Sequence, residues 1–181
     1  MRLVLMRHAE AGDADPARWP GDRERPLTDA GRREHIQVAA ALRRMGVTFD
    51  RILTSPLARA RETADITSRA YGGVPAPEPS ELLGDRAEPA RSLAGLATIE
   101  AERLLCVGHE PTLSRLAALL ISRDGSARVE IHKSGVAVID CAGPAGTGRG
   151  TLQLHLRPDQ ITRLVEEPSS ASPPSRPCSP S

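Results

Sequence analysis

Short apolar runs alternate with longer amphipathic stretches along this chain, and each switch carries its own punctuation. Leu3–Met6 is an apolar run ending at Arg7-His8, the pattern of a strand buried on both faces with polar side chains at its carboxyl end. Residues 9–26, rich in Asp, Gly, Pro and Arg and without periodicity, read as a loop. Thr28 caps a helix running to about Met45, with Ile36, Ala39, Ala40 and Leu42 on its inward face, and Gly46 ends it. Arg51–Thr54 reads as a second strand. Ser55 as N-cap and Pro56 as first helical residue then open a second helix to about Ala70. Gly72–Pro79 is a Pro/Gly connector, Leu82-Leu83 a short strand and Pro89–Leu96 a short helix. Leu104–Val107 is a third buried strand, followed by Gly108-His109-Glu110-Pro111 and a helix over about Thr112–Ser122. Val129–His132, Val136–Cys141 and Thr151–Leu156 read as strands, the last two a hairpin around the Gly-rich turn 143–150. A last helix covers Asp159–Glu166.

Strand and helix in alternation predict an α/β fold, a three-layer sandwich with a mostly parallel central sheet. The length suits one domain, over residues 1–167. Residues 168–181 are Ser/Pro-rich with no core formers and read as a disordered tail.

Composition narrows the function classes. The net charge is +1, so no broad basic field favours nucleic acid or an anionic membrane. Arginine is abundant, with Lys133 the only lysine, but acids are interspersed throughout, and the aromatic fraction of 2% supplies no stacking platform for single strands. No apolar run approaches the roughly 20 residues of a membrane span, and the N-terminus becomes charged too soon for a signal peptide. The expectation is a cytoplasmic monomer without nucleic-acid or membrane partners. Cys106, Cys141 and Cys178 form no CxxC pair; the first two sit in apolar runs and read as core residues.

Three strand ends carry the chemistry. The first ends in Arg7-His8, the second in Thr54-Ser55-Pro56-Leu57-Ala58-Arg59, the third in Val107-Gly108-His109. Ligands of open α/β sheets bind at the carboxyl ends of strands. If these strands are parallel neighbours, two histidines and two arginines meet. Arginine forks match phosphoryl oxygens, a histidine nitrogen can attack phosphorus, and a second histidine can donate to the charge that develops on the oxygens. Arg61, two residues after Arg59 on the same helix, faces elsewhere. His35, His132 and His155 read as structural, and no HxH or HExxH pair suggests a metal.

Leu5-Met6-Arg7-His8-Ala9-Glu10-Ala11 resembles the RHG signature of the histidine phosphatase superfamily, the phosphoglycerate mutase-like fold, with Ala9 in place of the signature glycine. The RHAEA form resembles the SixA-type phosphohistidine phosphatases. So do Arg25-Pro26-Leu27-Thr28-Asp29-Ala30-Gly31, Ser55-Pro56-Leu57-Ala58-Arg59-Ala60-Arg61-Glu62-Thr63 and Val107-Gly108-His109-Glu110-Pro111. Together the four segments extend the similarity over about residues 2–165.

The resemblance implies a compact domain without a lid domain. It implies His8 as nucleophile, with Arg7, Arg59 and His109 holding the phosphoryl group and Arg25 behind them. It implies a metal-independent phosphatase with no cofactor, a phosphohistidine-bearing protein as substrate and inorganic phosphate as product. A proton donor to the leaving group is less evident; Glu10, Glu81 and Asp85 are the candidates. Two alternatives stay open: a small-molecule phosphomonoesterase of the same fold, and a non-catalytic phosphoprotein-binding relative.

Overall fold

The computed structural model describes residues 1–72 and 76–165; the tail expected over 168–181 lies outside them. The elements are β1 (Arg2–Arg7), α1 (Asp29–Arg44), β2 (Arg51–Thr54), α2 (Ala58–Tyr71), β3 (Glu78–Pro79), a 3-10 turn (Glu81–Leu83), α3 (Pro89–Leu96), β4 (Arg103–Gly108), α4 (Thr112–Ile121), β5 (Val136–Cys141), β6 (Gly150–Leu156) and α5 (Pro158–Arg163). The strands form one sheet in the order β3-β2-β4-β1-β5-β6. β3, β2, β4 and β1 are parallel, and β5 and β6 continue the sheet antiparallel.

Strand alternation sorts the core into two layers. Leu3, Leu5, Leu53, Leu104, Cys106 and Ile139 face α3 and α4, packing on Leu93, Leu96, Leu113, Leu116 and Leu120. Val4, Met6, Ile52, Leu105, Val107 and Val138 face the opposite side and pack on Val38, Leu42, Ala60, Ala64 and Ile161 from α1, α2 and α5. Both faces of the central strands are therefore apolar, which is why they read as continuous hydrophobic runs. The result is the expected three-layer α/β/α sandwich.

Four local expectations are corrected. Leu82-Leu83 is not a strand: Ser80 accepts from Leu83 N–H through its carbonyl and from Leu82 N–H through its hydroxyl, and that closes a 3-10 turn. Val129–His132 joins no sheet, because side chains take its backbone groups. Ile131 N–H donates to Glu110 Oε1, Arg7 Nη1 to the Ile131 carbonyl and His155 Nε2 to the Glu130 carbonyl. The second helix begins at Ala58 rather than Pro56, and Leu57 is its N-cap. Finally, Ile36 and Ala40 face solvent, Ile36 at 55% exposure. The buried stripe of α1 is Gly31, His35, Val38, Ala39, Ala41 and Leu42.

One close approach ties α1 to the chain after β1. A Cβ at Gly31 would lie 2.2 Å from the Glu10 carbonyl oxygen, so only glycine fits there. Thr28 caps α1 by accepting from Gly31 N–H, while Thr28 N–H donates to that same carbonyl.

Candidate active site

The carboxyl ends of β2, β4 and β1 lie side by side. The register sets Arg7 opposite Gly108, and His8 N–H donates to the Gly108 carbonyl at 3.1 Å. His8 and His109 therefore leave adjacent strands at one level. Their rings meet at a centroid distance of 4.9 Å, tilted by 55°. Ser55 N–H donates to the Val107 carbonyl, which brings the end of β2 alongside, and Ser55 Oγ lies 2.8 Å from His109 Nε2. Arg59 stands on the first turn of α2. The rings and guanidinium groups are close enough that the fields of His109, Arg59 and Arg7 all act on His8.

The hydrogen bonds assign the ring protons. His8 Nδ1 lies 2.7 Å from the Ala9 carbonyl, which can only accept, so Nδ1 carries the proton and the Nε2 lone pair is free. Burial and the nearby positive charges push His8 down to about 3, which keeps the ring neutral at pH 7. Ser55 is fully buried and its hydroxyl has no acceptor among the described residues other than His109 Nε2, so it donates there while accepting from Leu57 N–H. His109, also pushed down to about 3 by burial and the arginines, then carries its proton on Nδ1. That Nδ1 is buried and has no partner among the described residues, and neither do Arg7 Nε and Arg59 Nε. A buried donor left unmet costs about 1–3 kcal/mol. Unmet donors on Arg7 and Arg59, whose charges act on His8, and on His109, whose ring meets it, suit a compact anion with several acceptor oxygens.

Comparison with known proteins agrees. The family description "Histidine phosphatase superfamily (branch 1)" fits residues 3–83, the segment that holds Arg7, His8 and Arg59. An uncharacterized protein of Picosynechococcus sp. is 37% identical over 93% of this chain and 97% of its own. Among solved structures, the protein histidine phosphatase SixA complexed with tungstate is 25% identical, with a TM-score of 0.77 over 89% of this chain and 99% of that one. A SixA protein of Agrobacterium tumefaciens is 28% identical, with a TM-score of 0.69 over 86% and 97%. The chain belongs to the histidine phosphatase superfamily.

The other sequence candidates stand at different places around this histidine phosphatase site. Arg25 does not present its guanidinium to an open anion site. Its Nε and Nη2 donate to the Asp22 carboxylate at 2.5 and 3.1 Å, and its Nη1 donates to the carbonyls of Ala11 and Gly12. Glu10 pairs with Lys133 at 2.5 Å and accepts from Gly12 N–H, which holds its carboxyl below the usual range. Glu81 is largely exposed and faces Arg23 at 3.5 Å. Asp85 lines the same cleft, of about 800 Å³, together with Gly21, Arg23, Leu57 and Glu81, and its field reaches Arg59. Arg18 lies over the Trp19 ring, 5.2 Å from its centroid.

Two site residues were not anticipated. Asp22 touches Arg59 twice: its carbonyl accepts from Nη1 at 3.0 Å and its carboxylate lies 3.2 Å from the same nitrogen. Arg25, and behind it Arg59, hold the Asp22 carboxyl below its ordinary value. The only signal was the Gly21-Asp22 pair, since both residues take left-handed backbone, φ 74° and 61°. Ser134 is the second. Its N–H donates to the carbonyls of both Arg7 and His8, at 3.2 and 3.4 Å. Its signal was of the same kind, a polar residue in left-handed backbone, φ 59°, beside Gly135. Among the described residues no group of three or more His, Cys, Asp or Glu side chains is placed to hold a metal ion.

Proposed function

We propose that this histidine phosphatase removes phosphate from phosphohistidine on a protein, by double displacement through a phospho-His8 intermediate. The observation that carries the reading is the neutral His8 ring, its Nδ1 proton tied to Ala9 and its Nε2 free, with unmet donors on Arg7 and Arg59, whose charges act on the ring, and on His109, whose ring meets it. In the first step the Nε2 lone pair bonds to phosphorus, the phosphorus–nitrogen bond of the substrate breaks, and the departing imidazole takes up a proton. Arg7, Arg59 and the Nδ1–H of His109 meet the phosphoryl oxygens as their charge shifts toward the transition state. In the second step water attacks phosphorus, the bond to His8 breaks, inorganic phosphate leaves, and the ring returns to its neutral form. Tungstate, named with the similar SixA structure, is a tetrahedral oxyanion like phosphate, and supports this assignment.

The leaving group fits the acids on hand. Glu10 and Asp22 are held as carboxylates by cationic partners and are poor proton donors. Asp85 lines the cleft without an ion-pair partner among the described residues, and is the acid this reading assigns. A departing imidazole asks less of an acid than an alkoxide does. On this reading the protein acts as a cytoplasmic monomer on a signalling protein such as a phosphotransfer domain, and needs no metal or cofactor.

The adjoining cleft of about 800 Å³ favours a second reading, a small-molecule phosphomonoesterase. Turnover of a phosphohistidine peptide measured beside phosphoserine and sugar phosphates decides between them. At least a tenfold higher kcat/KM for the phosphohistidine peptide is expected. Equal or better turnover of an alkyl phosphomonoester overturns the proposal, and phosphate binding with no turnover of any substrate would make the protein a binding module.

A further inference from the structure

His35 is the one fully buried histidine outside the phosphate site, and nothing in the chemistry above uses it. It is 0% exposed on α1, and both ring nitrogens are partnered: Nδ1 lies 3.1 Å from Ser134 Oγ and Nε2 2.8 Å from Thr67 Oγ1. The protons can be placed. Thr67 donates its hydroxyl proton to the Thr63 carbonyl at 2.9 Å, so Thr67 Oγ1 accepts from His35 Nε2–H. Burial pushes His35 down to about 4, so the ring is neutral and its Nδ1 accepts the Ser134 hydroxyl proton.

Each arm of this bridge ends on the backbone around His8. On one arm, Ser134 N–H is shared between the Arg7 and His8 carbonyls. On the other, Thr67 lies one turn from Thr63 on α2. Thr63 Oγ1 accepts from Ala9 N–H at 3.0 Å and donates to the Arg59 carbonyl at 2.7 Å. The peptides on both sides of His8, and the helical turn that carries Arg59, are thus joined through one buried imidazole. Thr63, Thr67 and Ser134 are themselves 0% exposed. An apolar side chain would fill such a core position without the cost of burying polar atoms. A fully satisfied polar chain instead fixes one geometry.

We propose that His35 is a positioning residue for the nucleophile, acting through Ser134 on the Arg7-His8-Ala9 backbone and through Thr67 and Thr63 on Arg59. This rests on the reading of His8 as nucleophile, but its structural half stands apart from that reading. Loss of the bridge lets the His8 ring and the Arg59 fork drift, and a displacement near 1 Å costs on the order of a hundredfold in rate. Substrate binding, carried by the arginines, changes less.

The test uses the full chain with His35→Leu, His35→Asn and Ser134→Ala. Asn places its amide oxygen where Nδ1 stands and can still accept from Ser134; Ser134→Ala removes only the hydroxyl and keeps the backbone N–H. Kinetics on the phosphohistidine peptide are read with the ring 15N shifts of His8 and the exchange rate of the Ala9 amide. The expected result is a kcat lowered roughly ten- to hundredfold in His35→Leu and Ser134→Ala, with KM within about twofold. His35→Asn recovers part of the loss. The double variant His35→Leu/Ser134→Ala is no slower than the worse single one. His8 ring shifts and faster Ala9 exchange accompany the loss. If His35→Leu does not fold, Ser134→Ala and His35→Asn carry the test alone. Wild-type kcat with unmoved His8 signals in both of those overturns the proposal. If the wild-type protein turns over no substrate, the proposed function fails, and the His8 shifts and Ala9 exchange still decide the role of His35.

Discussion

Acidification should unfold this protein well before its carboxylates titrate, because three buried imidazoles are held neutral. His8 and His109 are pushed down to about 3 and His35 to about 4, from an ordinary value of 6.5. Their folded values are depressed, so the unfolded chain binds more protons below pH 6.5. Stability from these groups is therefore complete above that pH and is lost as the pH falls toward 4. Each histidine contributes a slope of about 1.4 kcal/mol per pH unit, so three acting together give about 4 kcal/mol between pH 6 and 5. Against a domain stability of about 5–15 kcal/mol this is decisive. Asp22, Glu10 and Asp140 have carboxyls held low by cationic partners, and their losses begin only near pH 4 and below. Glu34, pushed up by burial, opposes the histidine trend, because its folded carboxyl takes up a proton at a higher pH than the unfolded one does. Urea unfolding followed by far-UV circular dichroism at pH 7.5, 6, 5.5 and 5 measures the slope. With a urea dependence of about 2 kcal/mol per M, the midpoint should drop by about 2 M between pH 6 and 5, and His35→Leu should remove about a third of the slope. A midpoint constant within about 0.3 M from pH 7 to 5 would refute the assignment of three neutral buried rings.

Gly31→Ala forces a Cβ to within 2.2 Å of the Glu10 carbonyl; thermal unfolding should show a loss of more than about 2 kcal/mol, and an unchanged midpoint would sink the close-approach argument. Asp22→Asn keeps the left-handed turn and removes the anion beside Arg59, so inorganic phosphate or vanadate should inhibit about tenfold more strongly, while weaker inhibition would show that Asp22 assists anion binding. Arg59→Lys keeps the charge and loses the planar fork; kcat/KM should fall about a hundredfold, and near-normal kinetics would contradict phosphoryl contact by the guanidinium. Leu105, fully buried in the sheet, should cost about 2–5 kcal/mol as Leu105→Ala in a chemical denaturation experiment.

The architecture was legible because its signal is local. Leu3–Met6 and Leu104–Val107 are apolar at every position, and a strand covered on both faces has to be. His8, Arg59 and His109 were legible because strand ends in a parallel sheet collect in one place. What escaped depends on long-range bonding. Val129–His132 has strand composition, but its backbone groups answer to Glu110, Arg7 and His155 instead of a neighbouring strand. The inward face of α1 was misjudged because a histidine sits in the core while Ile36 faces water; only the hydroxyls of Ser134 and Thr67, 99 and 32 residues away, make His35 a core residue. Ser55 looked like a helix cap and serves His109 as well as Leu57. Asp22 was hidden for the same reason: its partners, Arg25 and Arg59, are brought to it by a loop without periodicity.

The central claim is that the free Nε2 of His8 takes the phosphoryl group. Incubation with labelled phosphohistidine peptide, a rapid quench, and a search for acid-labile label on the protein test it most directly, with His8→Ala alongside. The account predicts label on the wild-type protein at His8 and none on His8→Ala, with turnover of the variant lowered by at least about a thousandfold. Turnover by His8→Ala at a rate near wild type, or label at another residue, would contradict it.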